Sequence, residues 1–422
     1  MKFSIITLGC KVNTYESEAM KELLLAKSFK YEEEYINSDI VIVNTCSVTN
    51  MADNKSKKII RRIKRENEKS ILVVCGCSSQ NNTSEYQEMD IDILLGNKDK
   101  SKIVELINEY LETHNKYIKI YSERNLEFES MNVKKFTSQT RAFLKVQDGC
   151  NNFCSYCIIP YVRGSIRSKD FNECLKEARI LVNNGHKEIV LTGIHTGSYN
   201  SNGKDLVDLI HELSLIDELK QIRISSIEIT ELNDKFMDEL RNNSKICNHL
   251  HIPLQAGSNY ILKKMNRKYD LEYYRNKIKI IRSIRPNISI TTDVIVGHPY
   301  EDEIYFNESY EFCKNINFAK IHVFPYSLRT GTVASKMPYQ VAEHDKQIRA
   351  GKLIELSEIQ EESYYKKYVG TLVNVLVEQA GEAYSIGHTS NYLKVRINKK
   401  LSQGDFIEAY ISKYEDNELV SN

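Results

Sequence analysis

No apolar run in these 422 residues approaches the ~20 residues that a membrane-spanning helix needs. Net charge is almost missing too: 58 Lys and Arg stand against 57 Asp and Glu, leaving +1. The chain as a whole therefore does not attract nucleic acid, and any RNA-binding surface has to come from local clustering. No fixed-period repeat and no low-complexity tract is present. The opening MKFSIITLGCKV places a lysine and a short apolar run before Gly9-Cys10. That run is too short for a secretory h-region, and acidic, helix-like sequence follows at once, so a cytoplasmic protein is expected.

A hydrophobic content of 41% with 27% charged residues describes an ordinary globular chain, long enough for two or three domains. Residues 1–138 alternate strand-like and helix-like patterns. KFSIITLG, DIVIVNTC, SILVVCGC and IDILLGN read as strands, and their alternation with helices implies an open α/β sheet. Asn13 and Glu16 resemble a capping box opening a helix. KSKKIIRRIKRENEK reads as a basic helix with Ile59, Ile60 and Ile63 on its inner stripe. Residues 139–368 hold six further strand candidates, AFLKVQDG, KEIVLTG, QIRISSI, HLHIPLQ, ISITTDVIVG and AKIHVFPY, with helices between them. Six such units predict a partial (βα)6 parallel barrel. Residues 369–422 alternate apolar and polar positions between glycines, which predicts a small antiparallel β-barrel of oligonucleotide-binding style.

In a reducing compartment, metal binding, catalysis and burial are the candidate roles for the ten cysteines, ahead of a disulfide framework. Cys150, Cys154 and Cys157 have the spacing C-x3-C-x2-C directly after the first barrel strand. One loop so spaced can wrap three corners of an iron–sulfur cube and leave the fourth iron open to a ligand. A zinc site completed by a distant histidine uses similar spacing; the context DGCNNFCSYCIIPYVRG weighs against it. That context resembles the radical S-adenosylmethionine enzymes, and PYVRGSIRS narrows the resemblance to the methylthiotransferases. The resemblance implies that the open iron binds the amino and carboxylate groups of S-adenosylmethionine, which is cleaved to methionine and a 5′-deoxyadenosyl radical.

Cys10, Cys46 and Cys77 each end a strand-like run of the first region. Ligands of open α/β sheets gather beyond the carboxyl ends of the strands, so these three thiols are expected to converge as a second cluster site. Cys75 lies inside its strand and is expected to be a buried, inert thiol; Cys174, Cys247 and Cys313 are read as small buried hydrophobes. The family pattern GC-K-V-N, N-T-C and G-C is matched by Cys10, Cys46 and Cys77. It implies two [4Fe–4S] clusters, one generating the radical and the other holding the sulfur to be inserted, with one S-adenosylmethionine methylating that sulfur and another supplying the radical.

The resemblance spans nearly the whole chain. TLGCKVN, LTGIHTGSY, RISSIEIT and HLHIPLQAGSN look most like the branch acting on C2 of N6-threonylcarbamoyladenosine at position 37 of tRNA. The isopentenyladenosine branch and the branch acting on an aspartate of a ribosomal protein are the alternatives. For S-adenosylmethionine the carry-over implies backbone contacts near Thr192 and Gly193, with Ser225 and Glu228 by the methionine and ribose portions and Gln255 at the fourth strand's end. His298 and Tyr300 stand where the family has phenylalanine and glycine. The C-terminal region resembles the TRAM domain, and Lys394 and Arg396, with Tyr384 and Tyr392 nearby, are candidate contacts to a tRNA anticodon stem-loop. Arg61 and Arg62 on the basic helix are a second candidate, with solvated surface as the plain alternative. An electron donor is implied without its identity. A cluster-bearing RNA-binding protein without turnover is the rival from another class.

Overall fold

The β-branched run Ile40–Thr45 is buried at every position, as a strand covered on both faces must be. The computed structural model describes residues 1–422 apart from Val48 and Ser138, so the boundary expected at Ser138 lies outside the described residues. Six strands, β1 (Lys2–Thr7), β2 (Lys30–Tyr31), β3 (Ile40–Thr45), β4 (Ile71–Gly76), β5 (Ile93–Leu95) and β6 (Tyr117–Lys119), form one parallel sheet in the order β2-β1-β3-β4-β5-β6. The two edge strands β2 and β6 are additions to the four expected; they span two and three residues, too short to carry a pattern. Alternation puts Ile40 and Ile42 in one apolar cluster, with Phe3, Met20 and Leu24, and Val41 and Val43 in the other, with Ile60 and Ile63. The helices α1 (Lys11–Leu25) and α2 (Asn50–Glu66) supply those opposite covers.

The capping box expected at Asn13 and Glu16 is not what forms. Helix α1 begins at Lys11 with Cys10 at its N-cap, and both polar residues are buried. Asn13 donates to the carbonyls of Leu8 and Thr45 at 2.7 and 3.0 Å, while Glu16 faces three cations. Both are spent on the interior rather than on the helix end.

The second part contains all six strands expected: β7 (Ala142–Lys145), then, after the two-residue ribbon strands β8 (Gln147–Asp148) and β9 (Arg167–Ser168), β10 (Glu188–Thr192), and, after a short hairpin of β11 (Asn200–Ser201) and β12 (Lys204–Asp205), β13 (Gln221–Ile224), β14 (His249–His251), β15 (Ser289–Val296) and β16 (Lys320–Pro325). They lie side by side in chain order and parallel, β7-β10-β13 and β14-β15-β16, joined through the parallel bridge Ile222–Ile246. Asp170 caps the helix Phe171–Asn183, accepting from the amides of Asn172 and Glu173, and Gly185 follows with φ +99°. The helix Glu343–Lys366 packs against β16.

The C-terminal strands β17 (Leu372–Ala380), β18 (Ser385–Thr389), β19 (Lys394–Ile397), β20 (Phe406–Glu415) and β21 (Glu418–Ser421) close into a five-stranded barrel of the TRAM-like kind. Its pairings are antiparallel, except that β19 and β21 run parallel. No helix among the described residues is long and apolar enough to cross a membrane.

Candidate active site between two cysteine triplets

Parallel register sets the ends of β1, β3 and β4 side by side, with Thr7 opposite Asn44 and Thr45 opposite Gly76. Cys10 follows β1 at the N-cap of α1, Cys46 follows β3, and Cys77 opens the short helix α3 (Cys77–Asn81) directly after Gly76. Gly76 has φ +110°, and a Cβ there would lie 2.4 Å from the Thr45 carbonyl oxygen, so only glycine turns the chain here. Gly9 is equally constrained: its Cβ would lie 2.7 Å from both Cβ and Sγ of Cys46. The two glycines let the three thiols approach one another. Cys75, by contrast, is wholly buried in the apolar cluster of the sheet, and burial pushes its thiol up to about 12. Cys174, Cys247 and Cys313 are buried in the same manner.

The second triplet lies beyond β7. Cys150, Cys154 and Cys157 are partly exposed. The Asn152 amide donates to Cys150 Sγ at 3.5 Å, His195 Nδ1 lies 3.9 Å from the same sulfur, and Arg267 Nη1 donates to Cys154 Sγ at 3.4 Å. Burial, then the neighbouring Cys154, pushes Cys157 up to about 12. Among the described residues no three Cys, His, Asp or Glu side chains gather around one ion. A cubane asks for a wider arrangement, since each thiolate meets a different iron. The donor sets fit such clusters: two groups of three cysteines, none in a disulfide, each with a cationic hydrogen-bond donor to one sulfur.

Arg163 joins the two halves. It is 1% exposed, and its Nε donates to Cys77 Sγ at 3.1 Å. Nη1 reaches Glu16 and Asp148, each at 3.1 Å, and Nη2 reaches Asn13 Oδ1 at 2.8 Å. Lys100 and Lys145 also pair with Glu16, and Lys145 and Arg167 with Asp148. Burial alone would raise both carboxyls; the surrounding cations overcome it and hold them well below the usual range. Cys77 is raised by burial, with Arg163 acting in the opposite direction. Asn97 contributes another tie, its Oδ1 lying 3.6 Å from Cys77 Sγ and its Nδ2 donating to the Val162 carbonyl.

The five residues anticipated for the cofactor occupy strand exits. Thr192 ends β10 with its Oγ1 buried and without a hydrogen-bond partner among the described residues. At Gly193 a Cβ would meet Gln147 at 3.0 Å. Gln147 was not anticipated: it donates to the carbonyls of Asp148 and Gly149 and accepts from the His195 amide, tying the cysteine loop to the β10 exit. Ser225 lies 3.5 Å from Thr196 Oγ1. Glu228 starts the turn Ile229–Glu231 and pairs with Arg267, the residue that reaches Cys154. Gln255 bridges to Val294 with φ +66°. His298 is buried; its Nε2 lies 3.0 Å from Ser155 Oγ and its Nδ1 2.9 Å from the Pro299 carbonyl. The departure from the family pattern thus braces the cysteine loop. Tyr300 keeps the left-handed backbone, φ +72°, that a glycine would take without strain.

A cavity of about 1200 Å³ runs through the barrel, lined by Lys11, Phe143, Arg223, Ser225 and His251 among others. Tyr392 of the C-terminal barrel also lines it, stacked 5.3 Å from His249 with Arg223 over its ring at 4.7 Å. Tyr392 thus packs its ring on His249 and Arg223 while remaining 42% exposed. The anticipated RNA contacts are placed as follows. Arg62 pairs with Glu66, Arg61 enters no ion pair among the described residues, Lys394 pairs with Glu418, and Arg396 pairs with Glu415 and Glu418.

Two family descriptions match: "Radical SAM superfamily" over residues 144–313 and "Uncharacterized protein family UPF0004" over residues 2–96. The chain belongs to the radical S-adenosylmethionine methylthiotransferase family and is an enzyme of that kind. Membership implies S-adenosylmethionine and a [4Fe–4S] cluster as cofactors. The threonylcarbamoyladenosine tRNA methylthiotransferase MtaB of Bacillus subtilis is 42% identical, over 92% of this chain and 88% of that protein. The protein of the same name from Aquifex aeolicus is 36% identical, over 94% and 96%. A tRNA-2-methylthio-N(6)-dimethylallyladenosine synthase from Thermodesulfovibrio yellowstonii is 34% identical, over 97% and 95%. In fold, the chain is similar to the radical S-adenosylmethionine methyltransferase TsrM from Kitasatospora setae, with a TM-score of 0.55, 12% identity, and coverage of 77% of this chain and 74% of that one.

Proposed function

We propose that this enzyme attaches a methylthio group to C2 of N6-threonylcarbamoyladenosine at position 37 of tRNA. It works in the cytoplasm, through units spanning 1–138, 139–368 and 369–422. Two [4Fe–4S] clusters are held by Cys10, Cys46 and Cys77 and by Cys150, Cys154 and Cys157. When bound, they and S-adenosylmethionine supply the radical, the methyl group and the sulfur. The observation that carries this reading is the pair of cysteine triplets, with the buried Arg163 bonded both to Cys77 of the first and to Asp148, two residues before Cys150 of the second.

The chain's own residues bind, orient and exclude water. Arg163 and Asn97 orient Cys77, and Arg267 and His195 do the same for Cys154 and Cys150, as outer-sphere donors do in metal sites. Thr192, Gly193, Ser225, Glu228 and Gln255 are assigned to S-adenosylmethionine; the unpartnered Thr192 Oγ1 supports this. The barrel cavity is assigned to the nucleoside, with Lys11 on its wall beside the first triplet. Arg61, Arg62, Lys394 and Arg396 are assigned to the anticodon stem-loop, the ion pairs of the last three opening as phosphates replace the carboxylates. The greater identity to the threonylcarbamoyladenosine relative, 42% against 34%, favours that nucleoside over the isopentenyl one.

Mass spectrometry of tRNA nucleosides tests the proposal. Deleting the gene is expected to abolish 2-methylthio-N6-threonylcarbamoyladenosine, with restoration by the wild-type gene. Loss of the 2-methylthio isopentenyl nucleoside instead would move the assignment to the alternative branch, and loss of neither would overturn both.

A further inference from the structure

Five lysines and arginines line the barrel cavity, and four of them already have carboxylate partners. Arg223 bonds Glu188 at 2.6 Å, and Arg141 bonds Glu188 at 3.0 Å and also pairs with Glu378. Lys320 and Lys394 pair with Glu361 and Glu418 at 2.8 and 2.9 Å. Lys11 is the exception. It is exposed, it lines the cavity, and its ammonium group forms neither an ion pair nor a hydrogen bond among the described residues. It follows Cys10 directly and opens α1, which packs against β7. At the other end of the row of strands, the helix Glu343–Lys366 packs against β16 and brings Glu355 and Glu358 to the cavity. Those two carboxylates also have no ion pair among the described residues. The cavity is therefore cationic at its α1 wall and acidic at the wall which that helix forms.

We propose that Lys11 selects the substrate by pairing with the carboxylate of its threonylcarbamoyl arm; the proposal rests on the nucleoside assigned above. On the base, N1 separates C2, the carbon to be modified, from C6, which bears the arm. The outer N–H of the arm closes a hydrogen-bonded six-membered ring onto N1, and this turns the amino-acid end towards the C2 edge. A base presented with C2 towards the triplet that includes Cys10 therefore carries its carboxylate to the next residue in the chain, Lys11. Glu355 and Glu358 repel the same anion from their side. A carboxylate and an ammonium in a confined site form a charge-assisted hydrogen bond, one of the stronger kinds. An isopentenyl arm offers no such bond and would strip water from the ammonium without replacing it. One residue thus attracts one arm and penalises the other. A backbone phosphate is the less favoured partner, because Lys11 lines the cavity assigned to the base.

The test measures binding of anticodon stem-loops to the anaerobic holoenzyme by fluorescence anisotropy, wild type against K11M. The stem-loops carry threonylcarbamoyladenosine, its methyl ester, isopentenyladenosine or plain adenosine at position 37. Wild type is expected to bind the free acid about tenfold more tightly than the ester, and K11M to bind the two alike. The plain adenosine stem-loop should bind both proteins equally. Equal binding of acid and ester by wild type would overturn the proposal, as would a preference for the acid that survives in K11M. A loss in K11M shared by every stem-loop, plain adenosine included, would overturn it in favour of a phosphate contact. Iron analysis shows whether K11M disturbs Cys10. If it does, K11Q, neutral but polar, takes its place: equal binding of acid and ester upholds the assignment, and a retained preference overturns it. Mass spectrometry of the products separates this inference from the reading beneath it. Methylthio product from the acid with no effect of Lys11 removes the inference alone, whereas product only from the isopentenyl stem-loop removes the nucleoside assignment and the inference with it.

Discussion

Replacing Arg163 with methionine removes a buried guanidinium that bonds Cys77, Glu16, Asp148 and Asn13 at 2.8 to 3.1 Å. Breaking a buried ion pair costs about 3–5 kcal/mol when the partner is left uncompensated. Here Glu16 keeps Lys100 and Lys145, and Asp148 keeps Lys145 and Arg167. The loss should therefore sit at the low end, about 3 kcal/mol, concentrated where the two halves meet. Native-state hydrogen exchange reads such local opening directly. Peptides covering 71–81 and 159–168 are expected to exchange roughly 150-fold faster in R163M, at 1.36 kcal/mol per factor of ten. R163K keeps a charge but not the planar fork, so an intermediate effect is expected. In the reconstituted enzyme, loss of the donor to Cys77 Sγ should lower the potential of the N-terminal cluster alone. Exchange within about threefold of wild type, with both potentials unchanged, would refute the role given to this residue.

Burial holds His298 down to about 4, against the opposing bond to the Pro299 carbonyl. Its folded value is depressed, so its contribution is complete above the unfolded value near 6.5 and is lost as pH falls towards 4. Between those limits wild type should lose about 3 kcal/mol of local stability that H298N retains, read by exchange of peptides covering Ser155. Cys75 and Cys77 should separate cleanly: C75S is expected to keep full iron and activity, whereas C77S loses the N-terminal cluster, as iron and sulfide analysis would show. Adding R61E and R62E should weaken stem-loop binding and flatten its salt dependence. An unchanged slope would return the basic helix to plain solvated surface.

The cysteine ligand candidates were legible because strand ends announce themselves: a buried apolar run, then a glycine or threonine, then a cysteine, as at LVVCGC. Their mutual approach followed from parallel topology alone. The groups that orient them were not legible, since Arg163 lies 86 residues from Cys77 and Arg267 lies 113 from Cys154. Both sit in quoted or neighbouring basic stretches whose partners only the tertiary fold selects. Asn13 and Glu16 misled for the same reason: their spacing satisfies a local rule, yet burial beside three cations overrides it. Charge counting also overstated the free cations, because Arg62, Lys394 and Arg396 meet glutamates in the folded chain.

The central claim is that six thiols make two clusters, one per triplet. Iron and sulfide analysis with electron paramagnetic resonance on anaerobically reconstituted wild type and C10A/C46A/C77A tests it most directly. The account predicts about eight irons per chain falling to about four, with 5′-deoxyadenosine formation kept and methylthio transfer lost. About four irons in wild type, or about eight retained in the triple variant, would contradict it.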